Sequence, residues 1–127
     1  MKTRTVIAWI AGMLLLVSGL AHAFFGWPPL RNALQQVNVD ADLIETAKIG
    51  WLFGSVAMFA FGLIVLSRAV QLSRGRQGDR APALVIGICY VAFGLAAFIG
   101  TGRNPHFLGF ILIGVLVTAT ALAGRKP

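Results

Sequence analysis

GLAHAFFGWPPL, residues 19–30, admits two readings. Ala21-His22-Ala23 has the small-x-small form of a signal-peptide cleavage site, and the MKTR start with the apolar stretch behind it supplies the rest of such a signal. The same residues also read as the last turns of a membrane helix that carries a histidine on one face. The flanking residues favour the helix. The apolar run does not stop at Ala23 but continues through Phe24, Phe25, Gly26 and Trp27, reaching a length that crosses a bilayer. Trp9 and Trp27 stand near its two ends, where interfacial aromatics belong. A retained first helix over about 6–27 is therefore predicted, with cleavage after Ala23 as the alternative.

Working outward, three more runs of similar length follow, at 43–66, 82–100 and 105–124. About 20 residues at 1.5 Å each cross a hydrocarbon core of roughly 30 Å. No run alternates as a barrel strand would. With 127 residues, 57% hydrophobic and 12% charged, the chain is too apolar for a soluble domain. It is predicted to be an all-α, integral membrane up-down four-helix bundle in one domain, residues 1–127. Its helices are expected at about 6–27, 43–67, 82–100 and 105–123, with an outer loop at 28–42 and a cytoplasmic loop at 68–81.

The charges give the orientation. Lys2, Arg4, Arg68, Arg74, Arg76, Arg80, Arg125 and Lys126 fall on one side of an alternating bundle, with Asp79. The other side carries Arg31, Lys48 and Arg103, balanced by Asp40, Asp42 and Glu45, so the whole net charge of +7 lies on the first side. The positive-inside rule makes that side, with both termini, cytoplasmic, as for a bacterial inner-membrane protein. Arg68, Arg74, Arg76 and Arg80 are then expected to meet anionic lipid head groups. A loop so short excludes nucleic acid as a partner.

Punctuation and packing signals follow. Pro28 and Pro29 are expected to end the first helix, and Leu30, Ala33, Leu34 and Val37 recur at helical spacing in the outer loop, as for a short surface helix. Asp42 with Glu45 resembles a capping box for the second helix, and Asn104 is the expected N-cap of the fourth. Gly12 and Gly19, the GxxxG pair Gly50 and Gly54, Gly87 and Gly94, and Gly114 form small-residue stripes for helix packing.

Chemistry has few candidates. His22 lies on the glycine stripe about five residues inside the outer end of the first helix, and His106 opens the fourth near the same surface. First and fourth helices are usual neighbours, so the two imidazoles are expected to share an outer pocket for a metal, a haem or a quinone-like head group. Against that stands an ordinary buried histidine bonded to Ser18 or a backbone carbonyl. Arg103 is expected to pair with the outer carboxylates, and Tyr90 to bond Thr118 or Thr120. The single Cys89 forms no disulfide framework and no metal motif. No Asp, Glu, Lys or Arg is expected mid-helix, which disfavours proton-coupled transport. No nucleophile–base pair or phosphate loop is present.

The SGLAHAFFG, GSVAMFAFGLIVL and NPHFLGFILIGVL segments, with the length and helix count, resemble small bacterial four-helix membrane proteins of the DoxX-like type. The resemblance implies a membrane subunit, in some cases one associated with quinone-linked sulfur or thiol redox chemistry, with His22 as the position to which a site transfers. Two functional expectations result. One is a non-enzymatic accessory subunit or homo-oligomer needing no cofactor; the other is a redox or quinone-associated subunit with its ligand site at His22 and His106.

Overall fold

In the computed structural model, which describes residues 3–76 and 78–122, α1 (Thr3–Ala21) does not stop at the two prolines. It passes through a π-helical turn, His22–Gly26, straight into α2 (Trp27–Gln36), giving 34 unbroken residues. A π turn carries one residue more than an α turn and shifts the hydrogen-bond register, so carbonyls that the proline rings would meet are displaced. Pro28 and Pro29 fall in the first turn of α2, where a missing N–H costs little. The expected outer loop thus shrinks to 37–40, turned by Asn38 at φ 54°.

α3 (Ala41–Ser73) starts earlier and ends later than expected. Its cap is Asp40, whose side chain accepts from the Asp42 N–H at 2.9 Å, rather than the Asp42–Glu45 box. α4 (Ala81–Gly100) carries Pro82 in its first turn, and a 3₁₀ turn, Pro105–Phe107, leads into α5 (Leu108–Leu122). Asn104 Oδ1 accepts from the His106 N–H at 3.0 Å. Four segments, Thr3–Gln36, Ala41–Ser73, Ala81–Gly100 and Pro105–Leu122, are long and apolar enough to cross a membrane. Lys2, Arg125 and Lys126, part of the charge asymmetry, lie outside the described residues.

Packing joins two tight antiparallel pairs, α1 with α3 and α4 with α5, through α1 against α5; α3 and α4 touch little. Thr5, Gly12 and Gly19 are buried at intervals of seven on α1, and Ser55, Gly62 and Ala69 at intervals of seven on α3. A strict seven-residue repeat is the signature of left-handed supercoiling, here built from small residues so that backbones approach closely. A Cβ at Gly19 would lie 3.0 Å from the Ser55 carbonyl oxygen, and one at Gly62 2.9 Å from the Leu16 backbone nitrogen. Gly87, Gly94 and Gly114 make the same approach between α4 and α5. Gly50 does not pack: it is exposed, and a Cβ there would meet nothing within 4 Å. Gly54 meets only His22, at an ordinary 3.7 Å. The GxxxG pair is therefore no packing seam; the seam lies on Ser55 and Gly62, one residue round the helix.

Arg68 departs most from expectation. Because α3 runs on to Ser73, Arg68 sits inside a helix rather than in a cytoplasmic loop, and it is 4% exposed. Its Nη1 donates to the Asp79 carbonyl at 2.8 Å, and its Nε and Nη2 donate to the Thr120 carbonyl at 3.4 and 3.0 Å. The guanidinium thus caps the C-terminal turn of α5, where the helix dipole favours a cation, and ties it to α3 and the 74–80 connection. It does not reach out to lipid head groups. Arg74 and Arg76 are exposed, and Arg80 is half-buried.

Gly62→Ala should lower stability in detergent by about 2 kcal/mol, the usual cost of overpacking a tight contact, while Gly50→Ala should leave it unchanged or raise it; thermal unfolding followed by circular dichroism compares the two. Arg68→Lys should also destabilise, by about 2 kcal/mol, since a lysine cannot bridge both carbonyls with a planar fork; the same melt checks it.

Candidate functional site

The π turn that carries the chain past the prolines also positions His22. Widening the turn directs the His22 carbonyl toward α3, where the Trp51 indole Nε1–H donates to it at 2.7 Å. The Trp51 ring lies flat on the His22 imidazole, centroids 4.0 Å apart and planes 7° from parallel. Ser55, one turn beyond Trp51, has its Oγ 2.8 Å from His22 Nδ1 and donates to the Trp51 carbonyl at 3.2 Å. The alternative reading gave His22 a bond to Ser18 or a backbone carbonyl; its ring bonds Ser55, on the neighbouring helix. The Ser55 bond and the stacked Trp51 face hold the imidazole in one orientation, while the Trp51 Nε1–H bond holds the His22 backbone.

These groups wall a cavity of about 410 Å³ between α1, α3 and α5. His22, Ser18, Phe25 and Gly26 line it from the first helix, Trp51 and Met58 from α3, and His106, Phe110 and Ile113 from the fourth segment. Its surface is mostly carbon, with the imidazoles, the Ser18 hydroxyl and the Trp51 indole as the side chains that carry polar atoms. Phe25 remains 79% exposed, so the cavity opens to the surface. His106 sits at that opening, exposed, with its ring edge-on to Phe107 and Phe110. His22 and His106 therefore border one cavity. Gly26 leaves room for the Trp51 ring: a Cβ there would lie 2.7 Å from Cζ2.

Among the described residues no group of three or more His, Cys, Asp or Glu is placed to hold a metal ion. Glu45 pairs with Lys48 at 3.5 Å, one turn along the same helix. Arg103, in a left-handed turn at φ 68°, forms no ion pair with Asp40, Asp42 or Glu45 among the described residues. Tyr90 does not bond to Thr118 or Thr120. Thr118 Oγ1 donates to the Gly114 carbonyl and Thr120 Oγ1 to the Val117 carbonyl, leaving the buried Tyr90 hydroxyl without a partner. The Tyr90 ring contributes through contacts with Phe61 and Phe110.

Trp51 and Ser55 were not singled out from sequence. Their signal is one helical turn of spacing on the face that also carries Gly62, legible once that face is known to meet the first helix. The chain matches no family model, no curated protein and no solved structure.

Tyr90→Phe should preserve or slightly raise the unfolding temperature, because the buried hydroxyl has no bond to lose. Trp51→Phe keeps an aromatic ring but removes the donor to the His22 carbonyl; it should cost about 1 kcal/mol, read from the same melt.

Proposed function

We propose that this chain is an integral membrane protein, both termini cytoplasmic, that binds a lipid-soluble ring ligand of the quinone type between His22 and His106. Four helices of spanning length and the one-sided distribution of the +7 net charge support insertion and orientation. The observation that carries the binding role is the 410 Å³ cavity, apolar and aromatic, with two histidines as its main hydrogen-bonding groups. Ligand pockets commonly span roughly 300–1,000 Å³ and combine an apolar wall with a few placed polar groups. The cavity opens at the protein surface among apolar helices, so a ligand dissolved in the bilayer reaches it laterally.

A quinone-type ring suits this lining better than a metal. The donor set offers two histidines and no carboxylate, whereas flat aromatic walls from Phe25, Trp51 and Phe110 suit a ring. The protein acts as a binding subunit, in a homo-oligomer or a larger membrane complex, rather than as an enzyme by itself. The DoxX-like resemblance of the histidine-bearing segment points toward the same chemistry.

Titration calorimetry in micelles with a decyl-substituted benzoquinol, the hydroxyl-bearing reduced form of such a ring, tests this. One saturable site per chain is expected, weakened about tenfold in His22→Ala through loss of one hydrogen bond. Gly109 borders the cavity and a Cβ there meets nothing within 4 Å. Gly109→Leu should therefore block binding without changing the unfolding temperature. Non-saturable uptake equal in all three proteins would refute the site.

A further inference from the structure

The hydrogen bonds around Ser55 determine what His22 offers to the cavity. A serine hydroxyl has one proton. Ser55 Oγ stands 3.2 Å from the Trp51 carbonyl oxygen and 2.8 Å from His22 Nδ1. Both contacts are hydrogen bonds only if the hydroxyl donates to the carbonyl, the usual back-bond of a helical serine, and accepts from an Nδ1–H. If the hydroxyl instead donated to Nδ1, two oxygen atoms would face each other with no proton between them. Ser55 is 5% exposed, so water does not substitute for either bond.

A neutral imidazole carries one proton, so the ring's other nitrogen, Nε2, is then a bare acceptor. Nε2 makes no hydrogen bond among the described residues, and it is not among the buried polar atoms that lack a partner, so it is open to the cavity that His22 lines. Among the described residues the His106 imidazole has no hydrogen bond either, and it can donate or accept as a ligand requires. The two histidines therefore differ: one has a fixed acceptor, the other adapts.

We propose that Ser55 holds His22 as the Nδ1–H tautomer, so that the cavity selects a lipid-soluble ring bearing a hydroxyl, a phenol or quinol, over the corresponding ether or carbonyl. This rests on the ring-binding role of the cavity and adds the form of the ligand. A hydroxyl donates to Nε2 and completes its hydrogen bonding; an ether or carbonyl oxygen there brings one lone pair against another.

The full-length protein in micelles is titrated with 4-octylphenol and with its methyl ether, 4-octylanisole, and the His22 ring nitrogens are read by two-bond ¹H–¹⁵N correlation, assigned against His22→Gln. The expected result is a protonated Nδ1 and about tenfold tighter binding of the phenol. In Ser55→Ala, which keeps the close approach to Gly19, the preference should fall to about twofold or less. A protonated Nε2, or equal binding of phenol and ether by the unaltered protein, overturns the assignment while leaving the ring site standing. Binding of neither probe overturns the ring site and the assignment with it.

Discussion

The close approach of the α1 and α3 backbones governs this molecule. In a bilayer the side chains gain little by leaving the lipid tails, so helices associate through dispersion and backbone proximity. Gly12 and Gly19 on one helix, and Ser55, Gly62 and Ala69 on the other, allow that proximity at seven-residue intervals. The separation they set is small enough for a side chain on α3 to reach a carbonyl of the first helix. The Trp51 bond to the His22 carbonyl uses that reach.

The π turn is the clearest case. Two consecutive prolines look like a stop signal, but the extra residue of the turn relieves their clash and the Trp51 indole satisfies the His22 carbonyl. The helix therefore continues, and the imidazole is held by the Ser55 hydrogen bond and the stacked Trp51 ring. A local irregularity in hydrogen bonding is stabilised by a neighbouring helix, and the same neighbour builds the wall of a cavity. Such π turns often mark functional positions, and here the turn holds the side chain on which the proposed ligand chemistry depends.

At the opposite end the constraint is electrostatic. Arg68 is withdrawn from water but surrounded by carbonyl oxygens of Asp79 and Thr120. An arginine in this setting keeps its charge, because the helix C-terminus supplies the complementary negative dipole. It joins α3 to α5 where α3 and α4 otherwise touch little. The two ends thus differ in kind: one is locked by a cation, the other is left open around two histidines.

By itself the sequence determined the all-helical class, four segments of spanning length and the pair of histidines at a common end. Those follow from hydropathy, segment length and the position of each residue along its helix, which are local properties. Only the tertiary structure decided that Pro28 and Pro29 do not end the first helix, that Ser55 and Gly62 rather than Gly50 and Gly54 form the seam, and that Arg68 is buried. It also decided that His22 bonds Ser55 across the interface while Tyr90 bonds nothing. These outcomes depend on which face of one helix meets which face of another, and a difference of one residue turns a side chain by about 100°. Periodicity identifies a stripe of small residues but does not say which neighbour fills it, so the partner of each polar group was settled by helix packing alone.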